Sequence, residues 1–220
     1  MNEISKEYIK ELIGKDDPVI LDIGCYDGKD SAELAKLFKR PEVHCFDCDP
    51  ASIRLFKELK YYPVAKLHEL ALCERDDEVE LNLSSSETRK HYPNQRRWSA
   101  SSSLRDFKNH LHLFPDVEFG GAIQVPGVKL DTWYKDVLQS KTIDFIWCDV
   151  NGAEADVIAG GLETLSKHTR YLYIEVSDKE LYEGQLTPKE ILEMLPDFEF
   201  MKLYNYRGNF GNMLLKNKNL

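Results

Sequence analysis

The 220-residue chain is 42% hydrophobic and 30% charged, enough material for one well-packed soluble α/β domain. Its 38 Asp and Glu outnumber 29 Lys and Arg, giving a net charge of −9, so general attraction to nucleic-acid phosphates is disfavoured. No apolar run approaches the ~20 residues that span a bilayer, and the charged opening "MNEISKEYIKELIGKDD" lacks the apolar core of a signal peptide.

That opening, residues 1–16, predicts an amphipathic helix with Ile4, Tyr8, Ile9 and Leu12 on one face. "PVILDIG" reads as a strand followed by a helix through "DSAELAKLFKR", and "EVHCFD" as a strand followed by a helix through "ASIRLFKEL". "AKLHELALC" and "EVELNLS" are strands separated by the turn-like "ERDD". Residues 84–127 are polar, weakly periodic and rich in Ser, Arg, His and Pro. So long a stretch in a compact domain is commonly a lid or binding loop, and it is expected on the acceptor side. Regularity returns with "VKLDTWYKDVL", the strand "TIDFIWCDV", a helix through "AEADVIAGGLETLSK" and the strand "RYLYIEVS". The helix "TPKEILEML" and the strands "FEFMKLYNY" and "GNMLLKN" close the chain.

Alternating β and α predicts a mostly parallel sheet covered by helices on both faces, ending in an antiparallel pair, all within one domain over residues 1–220. The five cysteines lie in or beside apolar runs and read as reduced thiols of a cytoplasmic protein. Cys45 and Cys48 form C-x-x-C without a second pair at zinc spacing, so no metal is expected there.

Ligands of open parallel sheets sit beyond the carboxyl ends of the strands, where strand order reverses. The first strand runs into Asp22-Ile23-Gly24-Cys25-Tyr26-Asp27-Gly28, whose glycines allow a sharp turn and close backbone approach. Tyr26 stands where G-x-G-x-x-G has its middle glycine, the one that brings the backbone to a pyrophosphate. A ligand without a pyrophosphate has no need of it. Asp47 ends the second strand nineteen residues after Gly28, where a carboxylate accepts hydrogen bonds from ribose hydroxyls. Asp22 and Asp27, with no cation before Lys29, suit an amino group better than a polyphosphate. S-adenosylmethionine combines a ribose, an amino-acid end and no phosphate.

In order along the chain, "LDIGCYDGKDS", "FDCDP", "LALCERDDEVELNLS", "SASSSL", "VKLDTW" and "IDFIWCDVNGAEADVIAGG" resemble successive motifs of the FkbM-type methyltransferases. The resemblance covers roughly residues 18–215, and its last motif is the most specific. It implies a Rossmann-like class I methyltransferase fold with a seven-stranded sheet. It also implies transfer of a methyl group from S-adenosylmethionine to a hydroxyl of a sugar, glycan or related natural product. Cofactor contacts then fall to Asp22, Gly24, Tyr26, Asp27, Gly28, Asp47, Cys48, Ala71, Leu72 and Asp149. The sequence departs from the family at Asn151, where Glu is frequent. Asn is no base, which weakens any two-carboxylate or divalent-metal arrangement in that turn.

Methyl transfer to a hydroxyl needs alignment and removal of one proton. Asp149 is the leading base, with Glu175 second and His91 a third candidate. The stretch "ETRKHYPNQRRWSASSSL" supplies Arg96, Arg97, Trp98 and Ser102 as acceptor contacts, suited to a sugar, a sugar phosphate or another acidic acceptor. Asn151 and Glu154 join them, although Glu154 also sits where a carboxylate favours a helix dipole. His110 and His112 form an H-x-H pair and are further base candidates, whereas His44 and His68 lie on strands and read as structural. Three other functions stay open: a nicotinamide-dependent oxidoreductase, a non-catalytic cofactor-binding module, and a nucleic-acid methyltransferase. The missing middle glycine opposes the first and the negative charge the last.

Overall fold

A computed structural model describes residues 3–58, 64–85, 99–206 and 210–220. The first half contains α1 (Lys6–Ile13), β1 (Val19–Ile23), α2 (Lys29–Ala35), β2 (Glu42–Asp47), α3 (Pro50–Glu58), β3 (Lys66–Glu69), β4 (Ala71–Leu72) and β5 (Glu78–Ser85). The second contains β6 (Glu118–Val128), α4 (Leu130–Val137), β7 (Ile143–Cys148), α5 (Glu154–Ala159), α6 (Leu162–His168) and β8 (Thr169–Ser177). It ends with α7 (Pro188–Met194), β9 (Phe198–Tyr204) and β10 (Phe210–Asn217).

Seven strands form the main sheet in the order β3-β2-β1-β7-β8-β10-β9. The first five run parallel, while β10 pairs antiparallel with both β8 and β9. Strand order reverses between β1 and β7, which places the switch point at the ends of these two strands. All five residues of β1 are buried, as a strand covered on both faces requires. Alternation sends Leu21 and Ile23 to the face covered by α4 to α7, and Ile20 to the face covered by α1 to α3. Each such fully buried Ile or Leu contributes on the order of 1.5–3 kcal/mol. Helix α1 begins at Ser5, whose hydroxyl oxygen accepts the Tyr8 N–H at 3.2 Å, and Ile4, Tyr8, Ile9 and Leu12 all pack on its cluster.

Three features differ from the sequence expectation. The stretch "AKLHELALC" is two short strands: β3 joins the main sheet, and β4 joins a second sheet of order β4-β6-β5. All of strand β6 except Val128 lies inside the supposed loop at 84–127. Its Gly120, Gly121 and Pro126 obscured it, because proline cannot donate to a ladder. Pro126 is tolerated since β4 pairs only with the next two residues, Gly127 and Val128. The long helix after β7 breaks into α5 and α6 at Gly160, where an added Cβ would stand 1.9 Å from the Cys73 carbonyl oxygen. Among the described residues no helix is long and apolar enough to cross a membrane.

Candidate active site

At the end of β1, Gly24 takes φ +88°, and an added Cβ would lie 1.8 Å from the Asp149 carbonyl oxygen. Only glycine permits this approach. The Asp149 N–H donates to the Ile23 carbonyl at 2.9 Å, joining the ends of β1 and β7. Tyr26 follows in the left-handed region at φ +51°, and its N–H donates to Asp47 Oδ2 at 2.9 Å. The other Asp47 oxygen accepts the Asp49 N–H at 2.9 Å, so one carboxylate holds two turns while each oxygen keeps a lone pair. Burial, reinforced by the Asp49 charge and opposed by the Asp49 and Tyr26 N–H donors, pushes the Asp47 carboxyl up to about 7.

These turns border a cavity of about 450 Å³, a volume typical of small-ligand sites. Of the expected cofactor residues, Tyr26, Asp27, Asp47 and Asp149 line it with polar groups, and Gly24, Cys48, Ala71 and Leu72 line the rest. Asp22 and Gly28 do not reach it. Asp22 is buried behind the turn, accepting the Ser31 hydroxyl, and burial raises its carboxyl to about 7. Gly28, at φ +71°, starts α2. Asp30 and Asp49 also border the cavity, and Lys29 is its one cation among the described residues. Five carboxylates against one ammonium fit a positively charged ligand without phosphates.

The opposite wall comes from residues 99–104 of the insert. Ser99 and Ser52 hydroxyls meet at 2.8 Å, the Ser102 hydroxyl donates to Asp49 at 2.7 Å, and its oxygen accepts the Ser84 N–H at 3.0 Å. Ser102 therefore fastens the wall, although it lines the cavity as expected of an acceptor contact. Asp49 escaped the sequence reading as a site residue. Its signal was the second carboxylate of "FDCDP", which also caps α3 by accepting the Ala51 N–H at 2.7 Å.

Beyond β7 a second, smaller cavity of about 130 Å³ shares Ala100, Asp149 and Asn151 with the first. Glu175 borders it, hydrogen-bonded to Asp149. Burial raises both carboxyls; their mutual bond leaves Asp149 at about 6 and holds Glu175 well above the usual range. The two carboxyls therefore titrate as a coupled pair, with Glu175 the more readily protonated. Glu154 comes within 4.8 Å of both, but its carboxylate accepts the Val150 and Gly152 N–H groups at 3.0 and 3.3 Å. Burial raises it to about 7. Glu154 borders neither cavity and braces the turn.

Asn151 lines both cavities, with its side chain engaged by Ser102 and Tyr182. Tyr182, from the segment between β8 and α7, was not singled out by sequence. His110 is buried in an aromatic box, with ring centroids 4.8 Å from Phe114, 5.1 Å from Phe119 and 5.3 Å from Tyr182. His112 is exposed, and His44 and His68 stack at 5.2 Å within the sheet. His91, Arg96, Arg97 and Trp98 lie outside the described residues.

The chain matches the methyltransferase FkbM domain over residues 22–207. It is 41% identical over 213 residues to the 2-O-methyltransferase NoeI of Sinorhizobium fredii, spanning 96% of this chain and 84% of that protein. The fold resembles the crystal structure of methyltransferase FkbM from Methylobacillus flagellatus, with TM-score 0.55 and 14% identity. That match covers 96% of this chain and 50% of the other, so the chain spans half the length of that relative. It also resembles Aeropyrum pernix fibrillarin in complex with natively bound S-adenosyl-L-methionine, with TM-score 0.50 and 11% identity over 96% of this chain and 74% of that one. A family match over most of the chain, joined to a carboxylate-lined cavity at the strand ends, settles the assignment: the chain belongs to the FkbM methyltransferase family.

Proposed function

We propose that the protein uses S-adenosylmethionine to methylate a hydroxyl group of a sugar, glycan or related natural product. The observation that carries this reading is the meeting of two cavities at Asp149. The larger has the wall chemistry of the cofactor. Asp47 keeps lone pairs for ribose hydroxyls, Leu70, Ala71 and Leu72 offer an apolar face to an adenine, and Asp27 and Asp30 suit an amino group. S-adenosylmethionine, when bound, supplies a methyl group made electrophilic by a positively charged sulfur.

The smaller cavity is the acceptor's. Phe114 and Phe210 stand in it edge to face with centroids 6.1 Å apart, giving a sugar ring an apolar corner. At neutral pH Asp149 is mostly ionised while Glu175 is the more readily protonated of the two. Asp149 would take the proton of the acceptor hydroxyl as that oxygen gains the methyl group and the methyl–sulfur bond breaks to leave S-adenosylhomocysteine. The proton would then leave through the cavity mouth. Glu175 keeps Asp149 the accepting partner by donating to it. The name of the Sinorhizobium fredii relative, a 2-O-methyltransferase, supports oxygen as the acceptor atom. Five free cysteines support a cytoplasmic location.

The test is calorimetric titration with S-adenosylhomocysteine and, in parallel, NAD. Wild type is expected to bind S-adenosylhomocysteine at micromolar or tighter affinity and not to bind NAD. Asp47→Ala should weaken that binding by roughly 10–100-fold, the loss of one or two hydrogen bonds to a charged group. An absence of S-adenosylhomocysteine binding in the wild type would sink the proposal.

A further inference from the structure

The turn that carries Asp149 is gripped from outside its own strand. Asn151 sits in the left-handed region at φ +55°, where a residue with a Cβ is uncommon and Asn is among the better tolerated. Its backbone N–H donates to the Asp149 carboxylate. Its other polar groups are all taken by segments distant in sequence. The side-chain amide donates to the Ser102 carbonyl at 3.2 Å, and its oxygen accepts the Tyr182 hydroxyl at 3.3 Å. The Asn151 carbonyl accepts the Ser103 hydroxyl at 2.6 Å. Tyr182 also covers Gly152, where an added Cβ would come within 2.6 Å of the ring, and its hydroxyl reaches the Ser101 carbonyl at 3.4 Å.

We propose that Asn151 is a positioning residue: clasped by residues 101–103 and by Tyr182, it aims the Asp149 carboxylate into the junction of the two cavities. The proposal rests on Asp149 being the base. It explains why an amide stands at this position. The site needs a donor toward the Ser102 carbonyl and an acceptor for the Tyr182 hydroxyl, and a carboxylate cannot be that donor. A carboxylate would also be a fourth beside Asp149, Glu154 and Glu175, which already lie within 4.8 Å of one another. Ser101 and Tyr182 border the small cavity, so the segments that receive the acceptor are the same ones that set the base.

The clasp is read directly by carbon-13 NMR titration of aspartate carboxyls, with the Asp149 signal assigned by its loss in Asp149→Asn. The groups that act on Asp149 from neighbouring elements are Glu175 of β8, Glu154 of α5, Asp22 of β1 and Glu3 ahead of α1, and the test variants leave all four in place. Asn151→Gly fits the backbone but deletes the amide. Tyr182→Phe keeps the ring on Gly152 and deletes one hydroxyl, so it preserves the fold. Each should raise the Asp149 midpoint by roughly half a pH unit as the N–H donor loosens, and Asn151→Asp should raise it by about one unit or more through added like charge. A purely structural residue would lower the melting temperature and leave the midpoint alone. An unmoved midpoint in both Asn151→Gly and Tyr182→Phe, with circular dichroism intact, overturns the proposal. Retained turnover in Asp149→Asn would instead overturn the base assignment.

Discussion

Strand β7 carries a buried or half-buried carboxylate at each end, and their surroundings are opposite. Asp144, 1% exposed at the amino end, accepts from Lys15 at 2.7 Å, Arg170 at 3.1 Å and the Val19 N–H at 2.9 Å. Asp149, just past the carboxyl end, has no ion-pair partner among the described residues and is bonded instead to another carboxyl group, that of Glu175. A carboxylate that serves folding is matched with cations and hydrogen-bond donors, because an unpaired buried charge costs several kcal/mol. A carboxylate that serves chemistry is left where its proton affinity is raised, and that condition is unfavourable for stability unless something is gained by it. With Asp149 as the proposed base, the two ends of one strand separate structural from reactive acid groups more sharply than burial does.

The comparison breaks most visibly at Asp149. Asp149→Asn keeps the shape and removes the base, so kcat should fall by roughly 10²- to 10⁴-fold, with S-adenosylhomocysteine affinity changed little. Unchanged turnover would move the base to Glu175 or elsewhere. The counterpart is Asp144→Asn. It leaves Lys15 and Arg170 facing a neutral amide, and since both cations are partly exposed the penalty is below that of a fully buried pair. Urea unfolding should show a loss on the order of 2 kcal/mol, with kcat unaltered. A drop in kcat without a drop in stability would erase the distinction between the two ends.

Most of this was legible on the cofactor side. There the chemistry sits in two short turns next to strands, so Gly24 and Asp47 could be placed from spacing, and Tyr26 from the family resemblance. Asp22 was misplaced because an aspartate at the end of a strand points to one face or the other, and sequence does not say which. The acceptor side was hard to read for a different reason. The small cavity is assembled from residues 100–101, His110 and Phe114 of the insert, Tyr182 after β8, and Phe210 of β10. No local period brings such distant residues together. Glu154 looked like a site residue because it follows Asp149 closely, yet its carboxylate turns back onto the Val150 and Gly152 amides.

The smallest expected effect concerns pH, and its sign follows from the same contrast. Burial raises Asp22 and Asp47 to about 7, Glu154 to about 7 and Asp149 to about 6 in the folded protein. In the unfolded chain these groups titrate near ~4. Between those values the folded state binds more protons, so their contribution to stability is complete below about pH 4 and is lost as pH rises through 6 to 7. Glu42 works in the other direction. Hydrogen bonds from Lys141 and Lys66 outweigh its burial and hold it at about 2, so its contribution is present above pH 4 and lost as pH falls toward 2. Two histidines within the sheet also oppose the strand-end carboxylates: burial lowers His44 and holds His68 at about 4, so their contribution is present above ~6.5 and lost as pH falls toward 4. The carboxylates' share of the stability of the ligand-free protein should fall by on the order of 2 kcal/mol from pH 5 to 8, because the four groups are coupled and do not add. Thermal unfolding of wild type and Asp149→Asn across pH 4–8 isolates the Asp149 part of that share, since both keep the histidines. The stability of wild type relative to the variant should fall as pH rises. A difference that is level or rising from pH 5 to 8 would mean that Asp149 has a cation partner after all, and the two ends of β7 would no longer differ in kind.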